Sequence, residues 1–341
     1  MASAVPPYQI QELIPSLPES VLQGIEVRCG QALGSELYIG CSNGELMRFA
    51  VQDDPSKTES YTILSRQSVP NDKPVDEIVL LPSISRALVL SDNQIHFYTL
   101  PNLDVVSYQI IKPIRHVVTF AVDQNHLMKP APPASVPAHR MEPVDFCVIK
   151  RNTLAMFSLR DRLFYQKEIP LPDGGTLARR IGSSICIANK EHYNILNLEN
   201  AEIFPILPLN QDFDRPDLVI KPFVVPTGEN DFLVVSWTGQ NSMGIFLSTA
   251  GDPVRGTLSW PQHPTSICLD LPHVAAILPN GSIEIHNVDA QSLVQVIPPP
   301  SDGPTERTRL VSSLSGYVVP SNGSSAKRRI VPVRLNRGSA T

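Results

Sequence analysis

The sequence contains no run of about 18 consecutive apolar residues, the length at which a helix becomes able to cross a bilayer. Its first residues, MASAVPPYQIQELIP, lack the basic start and the unbroken apolar stretch of a secretory signal. The formal net charge of −5 leaves no basic surplus for binding nucleic acid or for strong direct attachment to anionic lipid. We therefore expect a cytoplasmic chain that does not bind nucleic acid.

Cysteine is scarce, and none of the five cysteines forms a Cys-x-x-Cys pair. This excludes a zinc ribbon and a redox motif of that spacing. Cys41, Cys147 and Cys186 lie in apolar, strand-like runs, which predicts that they are buried as small hydrophobic residues. The two basic clusters, Arg179–Arg180 and Lys327–Arg329, are short and are predicted to be solvated loop charges.

The common motifs of catalysis and nucleotide binding are missing as well: there is no Gly-x-Gly-x-x-Gly, P-loop, His-Glu-x-x-His or Gly-x-Ser-x-Gly. Asp212, Asp214 and Asp217 resemble the start of a calcium loop, but its glycine and its terminal glutamate are absent. We predict a solvated loop there. No catalytic, cofactor-binding or metal-ligating residue is assigned, and the chain is not expected to be an enzyme.

Three further carboxylates, Asp145, Asp231 and Asp270, each lie beside a predicted strand. They would be able to do acid–base chemistry only if two of them faced each other across a channel. Trp237 and Trp260 lie in strand-like runs and are predicted to fill the core rather than to form a binding hot spot.

Proline, in contrast, is abundant, with 33 residues in a chain of 341. Because proline removes a backbone donor and clashes with the preceding helical turn, long helices have little room. Hydrophobic residues make up 42% of the chain, which is enough for a packed core. Short alternating runs between proline-marked turns predict an all-β fold.

A strand-turn-strand unit recurs along the chain, at a spacing of about 40 residues for most copies. In two copies Asn-Gly marks the turn, and a type I′ turn with positive φ at both residues is predicted there. In the last copy the alternation predicts a wet face that carries Ser282, Glu284 and His286, and His96 is predicted at an equivalent wet position. The units are Leu37–Phe49, Ala87–Tyr98, Phe146–Phe157, Ser184–Leu196, Phe232–Leu247 and Val274–His286.

The spacing of about 40 residues is the length of one four-stranded β-propeller blade. A larger gap separates the second and third units, and Val117–Val122 is counted as a strand of a further blade within it. The sequence thus predicts a β-propeller with seven blades. A β-sandwich is the alternative, but it would not need this repeat.

We expect residues 1–341 to form one such domain, interrupted by a proline-rich, mobile insertion at about 124–143. Flexible loops are predicted at about 298–308 and 320–329. The terminal strand Ile330–Leu335 is expected to close the ring, either by pairing with the first blade or by pairing with Tyr8–Ile14.

The segment Asp231–Val296 resembles the second half of a citron-homology (CNH) domain, and the hairpins at residues 37–51 and 87–106 resemble its earlier elements. Within that family the segments GDPVRGTLSWP and LPNGSIEIH are most similar to the vacuolar-sorting group. The residues that match the family pattern are Gly244, Phe246, Gly251, Pro253, Arg255, Trp260, Pro264, Ile283, Glu284 and Gln295.

This resemblance implies a cytoplasmic subunit of the CORVET endosomal tethering complex that associates peripherally with endosomal or vacuolar membranes. Its implied partners are a Rab-family GTPase and other tethering subunits. In that group the propeller precedes a long helical solenoid, which this sequence lacks, so we expect an isolated N-terminal domain. The matched positions belong to the fold, so no partner-binding residue is assigned.

Four alternatives share or replace this interpretation. The first is the related subunit of the HOPS tether. The second is the CNH domain of a kinase or of a Rho exchange factor, with a Rho- or Rap-type GTPase as partner; a start at methionine favours the tether. A propeller hydrolase would need convergent carboxylates or a metal, and a purely structural propeller would bind no GTPase.

Overall fold

The computed structural model describes residues 7–10, 25–34, 36–52, 60–127, 129–133, 140–228, 230–299, 311–313, 316–320 and 330–335. Almost all of the loops predicted at 298–308 and 320–329 lie outside these residues, and so does Lys327–Arg329. Residues 134–139 of the predicted insertion also lie outside them.

Nearly all of the regular secondary structure in the described residues is β-strand, as predicted. A one-turn helix, α1 (Gln124–Leu127), begins the insertion, and two 3-10 turns cover Pro70–Asp72 and Pro82–Ile84. The strands in chain order are β1 (Tyr8–Ile10), β2 (Val27–Leu33), β3 (Glu36–Cys41), β4 (Glu45–Gln52), β5 (Ser60–Ser68), β6 (Val75–Leu81), β7 (Arg86–Ser91), β8 (Gln94–Thr99), β9 (Asp104–Val105), β10 (Ile114–Arg115), β11 (Thr119–Val122), β12 (Val144–Ile149), β13 (Thr153–Leu159), β14 (Leu163–Pro170), β15 (Leu177–Ile181), β16 (Ser184–Ala188), β17 (His192–Asn197), β18 (Ile203–Pro208), β19 (Val224–Pro226), β20 (Asp231–Trp237), β21 (Ser242–Ser248), β22 (Leu258–Trp260), β23 (Ser266–Asp270), β24 (His273–Ile277), β25 (Ile283–Asn287), β26 (Ser292–Ile297), β27 (Val311–Ser313), β28 (Gly316–Pro320) and β29 (Ile330–Leu335).

Contacts group the chain into two compact units. The first is Met1–Ile78 with Gln262–Thr341, and the second is Val79–Pro261, so the division falls within β6. Sheets β2 to β5 and β23 to β26 belong to the first unit, and sheets β11 to β14, β15 to β18 and β19 to β22 to the second. The sheet of β6 to β10 lies mostly in the second unit, where β9 and β10 both pair with β8.

These six sheets, each made of consecutive strands, are the blades of a β-propeller. The prediction of seven blades is wrong, because it counted Val117–Val122 as part of a separate blade. Thr119–Val122 is instead β11, and it pairs with β12 in register Phe120 to Val148. It is therefore the first strand of the blade that contains the Phe146–Phe157 unit. The gap between the second and third units is long because the insertion lies between β11 and β12.

A further sheet, β1-β29-β28-β27, joins the first described strand to the last three and is therefore not made of consecutive strands alone. β29 is antiparallel to β1, with Tyr8 opposite Leu335 and Ile10 opposite Val333. Of the two pairings expected for the terminal strand, the structure shows the one with the N-terminal segment.

Apolar packing between neighbouring sheets forms the core of the second unit. One cluster contains both Leu88 of β7 and Phe146 of β12, and another contains Ile149 of β12 and Ile187 of β16. A third contains side chains from the β15 to β18 sheet and from the β19 to β22 sheet. In β16, Ile185 and Ile187 belong to one of these clusters and Cys186 and Ala188 to the next, so both faces of the strand are covered. Most side chains of β7 and β20 are buried as well.

The hairpin turns differ from the prediction in type. In the two Asn-Gly turns that the structure describes, only the glycines have positive φ, +83° at Gly44 and +82° at Gly281. Each glycine ends a three-residue loop, in which a type I turn is followed by a left-handed residue. The predicted type I′ geometry occurs instead at Asp92 and Asn93, with φ of 50° and 56°.

A side-chain clamp ties Tyr8 to the blade of β23 to β26. The Gln295 amide accepts a hydrogen bond from the Tyr8 N–H (3.0 Å) and donates one to the Tyr8 carbonyl (2.7 Å). The Tyr8 hydroxyl donates to Asp270 Oδ2 (3.0 Å) and lies 3.3 Å from His273 Nδ1. Tyr8 is only 1% exposed, so this clamp satisfies both of its backbone groups and its hydroxyl within the protein.

The Gly44 turn gives a first testable prediction. Gly44 has φ of +83°, and a Cβ there would lie 2.7 Å from the Asp72 Cα. Gly44→Ala should lower the free energy of unfolding by about 3 kcal/mol, since it combines a left-handed alanine with a backbone clash. Gly34→Ala is the matched control, because Gly34 has φ of +60° with nothing within 4 Å; it should cost only about 1 kcal/mol. Equal losses in urea denaturation would contradict the clash.

The clamp gives a second prediction. Gln295→Ala removes both hydrogen bonds to Tyr8, and it should lower the free energy of unfolding by about 2 kcal/mol and speed hydrogen exchange at Tyr8. Gln166→Ala is the control, since Gln166 makes one exposed hydrogen bond, to Asp145, and its loss should cost no more than about 0.5 kcal/mol. Unchanged exchange at Tyr8 in the Gln295 variant would show that β1 is held by other contacts.

Candidate partner-binding surface

The carboxylates considered for catalysis bind separate partners. Asp145 accepts a hydrogen bond from Gln166, and Asp231 accepts two from the Arg255 guanidinium, at 3.1 and 2.7 Å. Asp270 accepts the Tyr8 hydroxyl, and burial raises its pKa although Tyr8 and His273 oppose the shift. Each of these carboxylates thus links its own strand to another segment of the chain through hydrogen bonds.

Both histidines predicted on wet faces are buried, His96 at 5% exposure and His286 at 4%. Ser282 and Glu284, predicted on the same wet face, are also buried. Burial lowers the pKa of His96, against the opposing charge of Asp92, and raises the pKa of Glu284. The prediction was wrong because alternation shows that a strand has two faces but not that a second layer covers the polar one.

The predictions for cysteine and arginine had mixed outcomes. Cys41, Cys147 and Cys186 are buried as predicted, and burial raises the pKa of the Cys147 thiol to about 11. Arg180, however, is not a solvated loop residue. It lies in β15 at 9% exposure, where its guanidinium donates to the Gly182 carbonyl and approaches the Cys147 sulfur.

Several residues that match the CNH pattern have structural roles. Trp260 is fully buried, and its ring lies so close to Gly244 that a Cβ there would be 2.8 Å away. Arg255 pairs with Asp231 and lies over the Phe246 ring, 5.8 Å from its centroid. These residues hold the β19 to β22 blade together, although the Arg255 side chain is still 35% exposed.

A pocket of roughly 500 Å³ lies beside β17 and β18. Ile203 and Phe204 line it together with Asp173 and the turn Asn189–His192. The Glu191 side chain at this pocket is 82% exposed, and its Oε2 lies 3.9 Å from His192 Nδ1. The pocket is a surface groove that mixes apolar and charged side chains. Among the described residues, no group of three or more His, Cys, Asp or Glu side chains could hold a metal ion.

Among the residues whose exposure the structure describes, the most exposed large apolar side chains lie in the loop between β18 and β19. Phe213 is 96% exposed and Val219 is 91% exposed. Both belong to residues 210–219, which we call the acidic loop because it contains Asp212, Asp214 and Asp217. From the sequence, a solvated loop is predicted here, with a calcium site as the alternative and no role in binding a partner. The sequence feature that could have indicated an exposed apolar side chain here is a phenylalanine between two aspartates, in a segment without strand alternation.

Hydrogen bonds hold the acidic loop in place. The Asn210 amide donates to the carbonyls of Arg215 (2.8 Å) and Leu218 (3.4 Å). Asp212 accepts the N–H groups of Asp214 and Arg215 and pairs with the Arg215 guanidinium at 3.0 Å. These carboxylate oxygens therefore cap the turn of the loop, as loop aspartates commonly do.

Among the described residues, no helix has the length and apolar character needed to cross a bilayer. Several known proteins are similar in sequence to most of this chain. Transforming growth factor-beta receptor-associated protein 1 of Mus musculus is 26% identical over 299 residues, which is 84% of this chain and 32% of that protein. Vacuolar protein sorting-associated protein 3 of Saccharomyces cerevisiae is 21% identical over 82% of this chain and 26% of its own length. Vacuolar sorting protein 39 of Arabidopsis thaliana is 28% identical over 73% of this chain and 23% of its own.

This chain therefore spans about a third or less of the length of these relatives. Among solved structures, the AfRom2 CNH domain superposes with a TM-score of 0.60 at 16% identity, covering 96% of this chain and 99% of that domain. The Neurospora crassa Pan2 WD40 domain superposes with a TM-score of 0.63 at 10% identity, covering 96% of each chain. Both likenesses support the propeller fold.

The family comparison agrees with the resemblance seen in the sequence, both in the family and in the vacuolar-sorting group of its relatives. The model of the CNH domain matches residues 34–306, which is most of the chain. The chain therefore belongs to the CNH domain family.

Proposed function

We propose that this chain is a non-catalytic, protein-binding propeller of an endosomal tethering complex of the CORVET type. In this role it engages a Rab-family GTPase during vesicle fusion and vacuolar protein sorting. The observation that carries the proposal is the CNH match over residues 34–306 combined with relatives named for vacuolar protein sorting in fungi and a plant. Its other partners are further subunits of the complex, and it requires no cofactor.

The distribution of side chains supports a role in protein binding. Polar residues of the blades form hydrogen bonds within the chain, as Asp231 does with Arg255 and Gln295 with Tyr8. The acidic loop, in contrast, exposes large apolar side chains, a feature typical of interaction sites. Since the net charge is −5, we expect peripheral association with endosomal or vacuolar membranes through partners rather than through anionic lipid.

The related HOPS tether is the second candidate, because the Arabidopsis relative is named vacuolar sorting protein 39 and is 28% identical. On that alternative the fold and the class of GTPase are unchanged, and only the complex differs. A CNH domain of a kinase or Rho exchange factor would instead engage a Rho- or Rap-type GTPase.

A GTPase panel tests this proposal. The purified chain, immobilised on a sensor, should bind at least one Rab protein loaded with a non-hydrolysable GTP analogue. Binding to the same protein loaded with GDP should be at least about tenfold weaker, as expected when only one nucleotide state presents the matching surface. Rho and Rap proteins in both nucleotide states complete the panel.

The Pan2 WD40 domain is the matched control, since it shares the propeller fold at 10% identity and should retain none of the Rab proteins. Selective binding of a Rho or Rap protein would favour the kinase or exchange-factor alternative. Binding of no GTPase at all would overturn the proposal for this part of the protein.

A further inference from the structure

The acidic loop presents apolar side chains to solvent with very little cover. Phe213 and Val219 are 96% and 91% exposed, whereas no other large apolar side chain in the described part of the chain exceeds 59%. A partner that buried this phenylalanine and valine would remove most of their apolar surface from water, which favours binding. Single exposed apolar residues are common, but two in one short loop form a possible anchor.

The loop is rigid enough to serve as an anchor. Asn210 bonds three points of the loop backbone, since its Oδ1 also accepts the Asp212 N–H at 2.9 Å. The base of the loop is fixed to β20, where the Gln211 N–H donates to the Trp237 carbonyl at 2.7 Å and the Trp237 N–H donates to the Leu209 carbonyl at 2.8 Å. A preorganised loop loses little conformational entropy when it binds, so more of the contact energy appears as affinity.

The charges of the acidic loop indicate which kind of partner surface would complement it. Arg215 is paired with Asp212, so these two charges compensate each other. Asp214 and Asp217 are exposed, and neither forms an ion pair within the described part of the chain. Two uncompensated negative charges therefore lie in the same short loop as the two apolar tips. A matching surface would have an apolar pocket with lysine or arginine side chains at its rim.

We propose that the acidic loop is the docking element of this domain, and that Phe213 and Val219 enter an apolar pocket with a basic rim on the protein partner. This inference rests on the proposed function, because it assigns the GTPase contact to one surface. The alternative is that the exposed side chains of Phe213 and Val219 insert into a lipid bilayer. The carboxylates of Asp214 and Asp217 disfavour it, since anionic membranes repel them.

The test measures binding of the full chain to the Rab protein that the panel selects, loaded with the GTP analogue. Phe213→Ser with Val219→Ser should weaken binding about thirtyfold, the effect of losing a central anchor. Asp214→Asn with Asp217→Asn should weaken binding severalfold at low salt and flatten its salt dependence. Thermal melting should be unchanged in both double variants, since the four side chains are exposed.

Leu293→Ser with Val296→Ser is the matched control. These residues of β26 are 49% and 53% exposed, and they lie in the other compact unit. The control should bind the Rab protein within about twofold of the unmodified chain. If it weakens binding as much as the loop variant does, a general loss of apolar surface explains the effect and the docking assignment is wrong.

The outcomes separate the two proposals. If the unmodified chain binds a Rab protein and the Phe213/Val219 variant binds it equally well, the docking assignment is overturned while the proposed function stands. If the unmodified chain binds no GTPase, the proposed function fails, and the docking assignment falls with it. If the chain floats with phosphatidylserine vesicles and the Phe213/Val219 variant does not, the tips insert into lipid, which also overturns protein docking.

Discussion

Burial of both faces of the central strands is the constraint on which the rest of this structure depends. In the second unit, three apolar clusters lie between successive sheets, and two of them cover the opposite faces of β16. The strands β7, β16 and β20 have hardly any exposed side chain. Burial on this scale supplies the main stabilisation of a β-fold without long helices. It also decides which polar residues can remain inside, since each must find a partner or keep its neutral form.

Most of the residues that mark the family are consequences of this packing. Gly244 leaves room for the Trp260 ring, and Arg255 is fixed between Asp231 and Phe246. Gln295 satisfies the backbone of Tyr8, 287 residues away. A family pattern made of such residues identifies the fold, but it contains no information about which surface a partner contacts.

Contacts with a partner therefore have to come from the loops and from the outer strands of the blades. The acidic loop combines a backbone fixed by hydrogen bonds with two almost fully exposed apolar side chains, which sets it apart from the other connections that the structure describes. Its rigidity comes from Asn210 and Asp212, whose side chains take the place of the hydrogen bonds that a strand would have made. The fold contributes the position of this loop, and the local sequence contributes its chemistry.

The sequence by itself determined the all-β class, the six hairpin units and the family, because alternation, turn residues and motif spacing act over a few neighbouring positions. The burial of Cys41, Cys147, Cys186 and Trp260 could be predicted in the same way. Only the tertiary structure decided the number of blades, since β11 had to be assigned to one sheet or another by its pairing with β12. It also decided that Glu284 and His286 are buried, that β1 pairs with β29 and that Phe213 is exposed. These properties depend on contacts between residues far apart in the chain, and no local pattern specifies which distant segment will cover a given side chain.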